Sequence, residues 1–135
     1  MGHNTRVSHT SDSISTGSIS AGSLSDLQHR MREFAQERDW EQFHDPKSLI
    51  LALVGEVGEL AELFQWLPAD RARDLANHSP LQQRVGEEMG DILLYLVRLA
   101  DVAGIDLTTA TESKFASVRD RFPVEECKGL APIKD

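Results

Sequence analysis

The chain has 135 residues, the size of a single domain, with 40% hydrophobic and 27% charged residues. Asp and Glu number 22 against 14 Lys and Arg, a net charge of −8. This balance excludes the basic face that a nucleic-acid binder uses to displace counterions, and it argues against binding to anionic membrane surfaces. An acidic chain that handled a polyphosphate would need cations between the two.

A single cysteine, Cys127, rules out an intrachain disulfide and a cysteine-based zinc site. No apolar run approaches the ~18–20 residues of a membrane span. The first residues lack the charged start and apolar stretch of a secretory signal, so a cytoplasmic setting is expected.

Residues 1–22 are rich in Ser, Thr and Gly and contain no aromatic residue. They offer too little apolar area to offset the entropy of ordering, and a flexible tail is expected. His3 and His9 are read as part of that tail, not as metal ligands. The first helix is expected from Leu24 to about Arg38, with Ser23 or Ser25 as N-cap and Leu27, Met31 and Phe34 on one face. Asp39–Asp45 reads as a connector. Asp45-Pro46 is a helix start, with Asp as cap and Pro in the first position. That helix is expected to reach about Trp66, before Pro68. A polar loop without clear period covers 67–80. Ser79-Pro80 restarts a helix by the same logic, and it continues to about Ala103, where Gly104 closes it. Asp106 or Thr108 caps a last helix to about Arg121. The folded domain is thus 23–123, followed by a polar tail over 124–135. With no strand signal and no repeat, the fold class is all-α, a four-helix bundle.

On the second helix, Leu49, Ile50, Leu53, Val54, Val57, Leu60 and Phe64 form one apolar arc at ~100° per residue. Glu62 lies opposite, where a solvated glutamate belongs. Glu56 falls inside the arc and Glu59 at its edge, stacked on one side of the helix. The third helix is apolar around nearly its whole circumference from Ile92 onward, and Glu88 and Asp91 project from the start of that stretch. Four carboxylates are therefore expected to face inward from two helices. An unpaired buried carboxylate costs several kcal/mol, on the order of a domain's whole stability. A hard divalent cation with oxygen ligands, Mg²⁺ or Mn²⁺, resolves this. The competing reading is solvated glutamates and helix-pairing salt bridges, and pattern alone does not choose. A di-iron bundle would need Glu-x-x-His pairs, which are absent. Gly55, Gly58, Gly86 and Gly90 suggest close approach of a neighbouring helix or of a ligand. A helix apolar all round in a chain of this size also calls for burial against a second subunit.

At Glu56-Val-Gly-Glu59 and Glu88-Met-Gly-Asp91 the chain resembles the all-α nucleoside triphosphate pyrophosphatases, the MazG-like superfamily. The stretch DWEQFHDPKSLILALVGEVGELAELFQW (39–66) and GDILLYLVRLADVAGIDL further on are similar to its dCTP pyrophosphatase branch. The resemblance covers about residues 24–123. It implies hydrolysis of a nucleoside triphosphate between the α and β phosphates, with dCTP or a 5-modified dCTP giving dCMP and pyrophosphate in nucleotide-pool house-cleaning. It implies Mg²⁺, or Mn²⁺, on Glu56, Glu59, Glu88 and Asp91. It puts Trp40, His44 and Trp66 around the base and sugar, and Tyr95 on the substrate. Lys114 and Arg121 would lie near the phosphates, and the protein would be a homo-oligomer, dimer or tetramer, with sites near subunit boundaries. Two positions depart from the pattern: Val118 replaces an Asn between Lys114 and Arg121, and Met31 stands where the dCTP branch carries a substrate-contacting histidine. A different triphosphate such as dUTP is the alternative substrate, and a non-enzymatic acidic helical module binding a partner is the alternative class.

Overall fold

A computed structural model describes residues 21–132. The expected tail over 1–22, with His3 and His9, lies almost wholly outside the described residues. Six α-helices follow in order: α1 Leu24–Glu37, α2 Pro46–Glu62, α3 Ala69–Ala76, α4 Leu81–Val102, α5 Leu107–Arg121 and α6 Val124–Cys127. A single 3-10 turn, Glu41–Phe43, lies between α1 and α2. No strand occurs among the described residues, and the class is all-α as expected.

Local chemistry sets the starts of three helices and the end of the longest. Ser23 accepts a hydrogen bond from the Asp26 N–H at 3.1 Å and starts α1. Asp45 accepts from the Ser48 N–H at 3.0 Å, with Pro46 in the first turn of α2. Asp106, not Thr108, starts α5 by accepting from the Thr109 N–H at 3.0 Å. Each cap satisfies an N–H that the helix leaves without a partner. At the other end of α4, Gly104 takes φ +67. The Ile105 N–H then reaches the Ala100 carbonyl at 2.8 Å and the Gly104 N–H reaches Asp101 at 3.1 Å, a Schellman closure.

Three expectations need correction. The stretch 67–80 is not wholly loop: α3 forms there, with Ala72, Leu75 and Ala76 half-buried at helical spacing and packed toward α4. Helix α2 stops at Glu62, and residues 63–66 turn instead of extending it to Trp66. Ser79 does not cap α4, which starts at Leu81 after Pro80 with no side-chain cap bond. After Pro123 the chain makes the one-turn α6 before the end of the described residues.

Helix α4 is the hub, with α1, α2 and α3 packed on it and α5 resting on α1. The buried apolar core of the described residues is small: Ala35, Leu49, Val97 and Ala100. The apolar arc of α2 is split by this packing. Leu49 is buried against the hub, but Ile50, Leu51, Val54 and Val57 are exposed, as are Met89 and Leu93 of α4. Neither helix buries its full apolar surface within one chain. A Cβ at Gly55, Gly58, Gly86 or Gly90 would meet nothing within 4 Å, so no close approach among the described residues explains those glycines.

Candidate functional site

The site begins at the turn out of α1. Asp39 sits in the left-handed region at φ 53, a conformation Asp tolerates better than most residues. The Asp39 N–H bonds to Gln36 at 3.0 Å and the Trp40 N–H to Ala35 at 2.9 Å, the same closure that Gly104 makes on α4. Gln42 Nε2 donates back to the Asp39 carbonyl and carboxylate at 2.8 and 3.0 Å. Trp40 is thereby aimed at Phe34, edge to face at 5.8 Å between ring centres. The 3-10 turn then delivers His44 immediately before the Asp45 cap of α2.

A pocket of about 170 Å³ opens between these groups and α4. Trp40, His44, Phe34 and Met31 line it from the α1 side, Leu49 from α2, and Asp91, Leu94, Tyr95 and Arg98 from α4. Asp91, Tyr95 and Arg98 are spaced four and three residues apart, so a single face of α4 presents all three. Three residues expected from sequence to bind substrate, Trp40, His44 and Tyr95, thus meet in one place.

Arg98 is what the sequence reading missed. Its side chain is only 4% exposed. Nε donates to His44 Nδ1 at 3.0 Å and Nη1 to the Asp101 carboxylate at 2.6 Å, and Nη2 lies 3.6 Å from Glu41. Arg32 of α1 pairs with the same Asp101. The hydrogen bond from Arg32, with both guanidinium charges, holds the Asp101 carboxyl below its ordinary value although burial opposes this. Burial, then the Arg98 charge, holds the His44 imidazole below its ordinary value, opposed by Glu41. The available signal was an arginine inside the apolar run LLYLVRLA with an aspartate three residues on.

The carboxylates gather where α2 runs beside α4. Oxygens of Glu56, Glu59 and Glu88 lie within 4.8 Å of one another, close enough to share one cation. Asp91 is not part of that trio; it lines the aromatic pocket. Not all four face inward: Glu56 and Glu88 are half-buried, whereas Glu59 and Asp91 are exposed. Burial from water, then Glu59, Asp91 and Glu88, push the Glu56 carboxyl above its ordinary value. Among the described residues, no Lys, Arg or His forms an ion pair with any of the four. An all-oxygen, multiply anionic donor set of this kind fits a hard divalent ion.

Trp66, Lys114 and Arg121 are not brought to this pocket within one chain. Trp66 is 87% exposed in the turn after α2. Lys114 borders an apolar groove on α5 with Phe115 and Val118. Arg121 lies near Phe122 and the α6 turn, its guanidinium 4.9 Å over the Phe122 ring. No described helix is long and apolar enough to cross a membrane.

Residues 44–124 match the MazG nucleotide pyrophosphohydrolase domain. The chain is 49% identical over 108 residues to dCTP pyrophosphatase 1 of Bos taurus, covering 80% of this chain and 64% of that one. It is 46% identical over 127 residues to dCTP pyrophosphatase 1 of Rattus norvegicus, covering 89% of this chain and 72% of that one. The chain therefore spans about two thirds of the length of these curated relatives. A crystal structure of a pyrophosphatase from Archaeoglobus fulgidus superposes with a TM-score of 0.67 at 34% identity, covering 74% of this chain and 92% of that one. With an all-helical fold, paired carboxylates on adjacent helices and these matches, the chain belongs to the MazG nucleotide pyrophosphohydrolase family.

Proposed function

We propose that the protein hydrolyses a deoxynucleoside triphosphate between its α and β phosphates in a divalent-metal-dependent reaction. The substrate we favour is dCTP or a 5-modified dCTP, giving dCMP and pyrophosphate in cytoplasmic nucleotide-pool house-cleaning. The observation that carries the reading is the joining of the Glu56, Glu59 and Glu88 oxygens beside the aromatic pocket that Asp91 lines. The named activity of the mammalian relatives supplies the substrate class.

Glu56, Glu59 and Glu88, with Asp91 alongside, would hold Mg²⁺ or Mn²⁺. Such an ion supplies Lewis-acid polarisation and neutralises triphosphate charge. This is how a chain of net charge −8 would hold a polyanion. Glu56 or Glu59 accepts the proton of the attacking water. The water oxygen bonds to the α-phosphorus, the bridging bond to the β-phosphate breaks, and pyrophosphate leaves. Trp40 holds the base by stacking or edge contact, worth ~1–3 kcal/mol by analogy with single-strand binders, and Tyr95 and His44 contact the nucleoside.

The same reading includes assembly, as a dimer or as a tetramer built from dimers. The pocket of about 170 Å³ is smaller than the ~300–1,000 Å³ of typical ligand sites. The apolar faces of α2 and α4 lie open next to it. A second copy that covered them would extend the pocket and give Trp66, Lys114 and Arg121 a route to the nucleotide and the leaving pyrophosphate. The direct test is product analysis after incubation of each deoxynucleoside triphosphate with Mg²⁺. Formation of dCMP and pyrophosphate from dCTP supports the reading. Stepwise release of orthophosphate, or no turnover of any triphosphate, overturns it.

A further inference from the structure

Arg98 is costly to bury, and its ion pair with Asp101 does not by itself justify it. A buried ion pair is commonly matched or exceeded in stability by well-packed apolar residues of similar size. Asp101 already has Arg32 as a partner. What an apolar side chain could not do is bind the imidazole of His44, which lies 54 positions away in the connector and reaches the same pocket. The contact is chemically one-sided. A guanidinium has five N–H donors and no acceptor. The ring nitrogen facing Arg98 Nε at 3.0 Å must therefore be the one without a proton. Neutral histidine carries one ring proton, which is left on Nε2. Among the described residues, Nε2 has no hydrogen-bond partner.

The guanidinium is itself held from three sides. Asp101, one turn on along α4, fixes Nη1 at 2.6 Å, Glu41 stands 3.6 Å from Nη2, and Arg32 anchors Asp101 from α1. The cluster closes electrically, with two guanidinium groups and two carboxylates. No buried side-chain nitrogen or oxygen among the described residues lacks a hydrogen bond.

We propose that Arg98 is a positioning residue that locks His44 as the neutral Nε2–H tautomer, so that His44 offers the pocket a hydrogen-bond donor and selects an acceptor oxygen on the nucleoside. This rests on the nucleotide reading above for the identity of the ligand, but not for the state of the ring. A group hydrogen-bonded to the outer nitrogen of a metal-ligating histidine sets its tautomer in the same way; here the histidine faces the pocket instead.

The tautomer is read directly by two-bond ¹H–¹⁵N correlation on the wild-type protein with ¹⁵N-labelled histidine, the His44 signals being assigned by their loss in His44→Gln. The expected spectrum shows a pyridine-like Nδ1 and a pyrrole-like Nε2. A protonated Nδ1, or averaged shifts, in the wild type overturns the proposal and needs no variant. Arg98→Lys keeps the charge beside Asp101 but removes the Nε donor. In this variant the His44 shifts should average between tautomers, and KM for dCTP should rise about tenfold while kcat changes much less, as expected for one charge-assisted hydrogen bond. An Arg98→Lys protein with unchanged His44 shifts and unchanged KM also overturns the proposal. If wild-type protein turns over no dCTP, the functional reading fails while the ring measurement still decides the role of Arg98.

Discussion

The two ends of α4 are built to opposite standards. At its C-terminal end, Val97, Arg98 and Ala100 are buried, Asp101 has two cationic partners, and Gly104 closes the helix through backbone bonds. At its N-terminal end, Glu88 joins Glu56 and Glu59 with no Lys, Arg or His paired to them among the described residues, and Met89 lies exposed, as does Val57 of α2. Both ends carry acidic residues, but only one supplies its own countercharges. The closed end is completed by the chain itself. On the reading proposed above, the open end would be completed by a divalent ion with its triphosphate and by a second copy.

The largest effect expected from this contrast is on activity. Glu88→Gln and Asp91→Asn should each lower dCTP turnover on the order of 1,000-fold, the equivalent of several kcal/mol of lost charge stabilisation. Circular dichroism should show the helices intact, because neither residue belongs to the core. If both variants stayed active, the metal reading of the open end would be wrong.

Stability should divide along the same line. Val97 is fully buried, and Val97→Ala should cost about 2 kcal/mol through lost burial and the cavity left behind. Val54 is 61% exposed in the single chain. Val54→Asp should leave the helices formed but convert an oligomer to monomer in sedimentation at micromolar concentration. A wild-type protein that sediments as a monomer would show instead that the open face has no second copy to cover it. At the closed end, Gly104→Ala should cost about 1–2 kcal/mol in chemical denaturation, because φ +67 strains any residue with a Cβ.

The smallest effect is on the pH dependence of melting, and the two ends should differ in sign. His44 titrates below its ordinary 6.5, so the folded chain binds fewer protons than the unfolded one between those two values. Stability falls as pH drops through that window. Asp101 titrates below 3.8, and its contribution is present above 3.8 and lost as pH falls through the lowered value. Glu56 does the reverse. Its carboxyl titrates above 4.5, so the folded chain binds more protons there and stability rises as pH falls toward 4.5. In metal-free protein, Glu56→Gln should remove the acid gain, and Asp101→Asn should remove the loss at lowest pH. Melting profiles of the two variants that shift in the same direction would contradict the assignment.

What was legible in the sequence follows from the range of each interaction. Ser23, Asp45 and Asp106 bond to backbone three residues away, and Gly104 acts within its own turn, so sequence spacing located Asp45 and Gly104 and narrowed the other two caps to Ser23 or Ser25 and Asp106 or Thr108. Helix α3 was missed because ADRARDLA shows only Ala72, Leu75 and Ala76 as an inward stripe, and its packing on α4 gives those residues meaning. The α2 boundary was overrun because Leu63, Phe64 and Trp66 continue the apolar composition after the helical hydrogen bonds have ended. The pairing of Glu56, Glu59 and Glu88 could be anticipated from three-residue spacing on two helices, whereas the exposure of Glu59 and Asp91 depends on what covers those helices. Trp40, His44 and Tyr95 were chosen by resemblance, and the fold brings them together. Arg98 was hidden because its meaning lies in a partner 54 residues away.

The claim that the open end is completed by a metal–nucleotide ligand is tested most directly by thermal melting with Mg²⁺ and a non-hydrolysable dCTP analogue. Ligand at a hundredfold excess over Kd should stabilise the wild-type protein by roughly 2.7 kcal/mol, neither component alone should do so fully, and Glu88→Gln should lose the response. An unchanged melting temperature in the wild type, or an equal rise in Glu88→Gln, would contradict the account and favour an acidic helical module that binds a partner without metal.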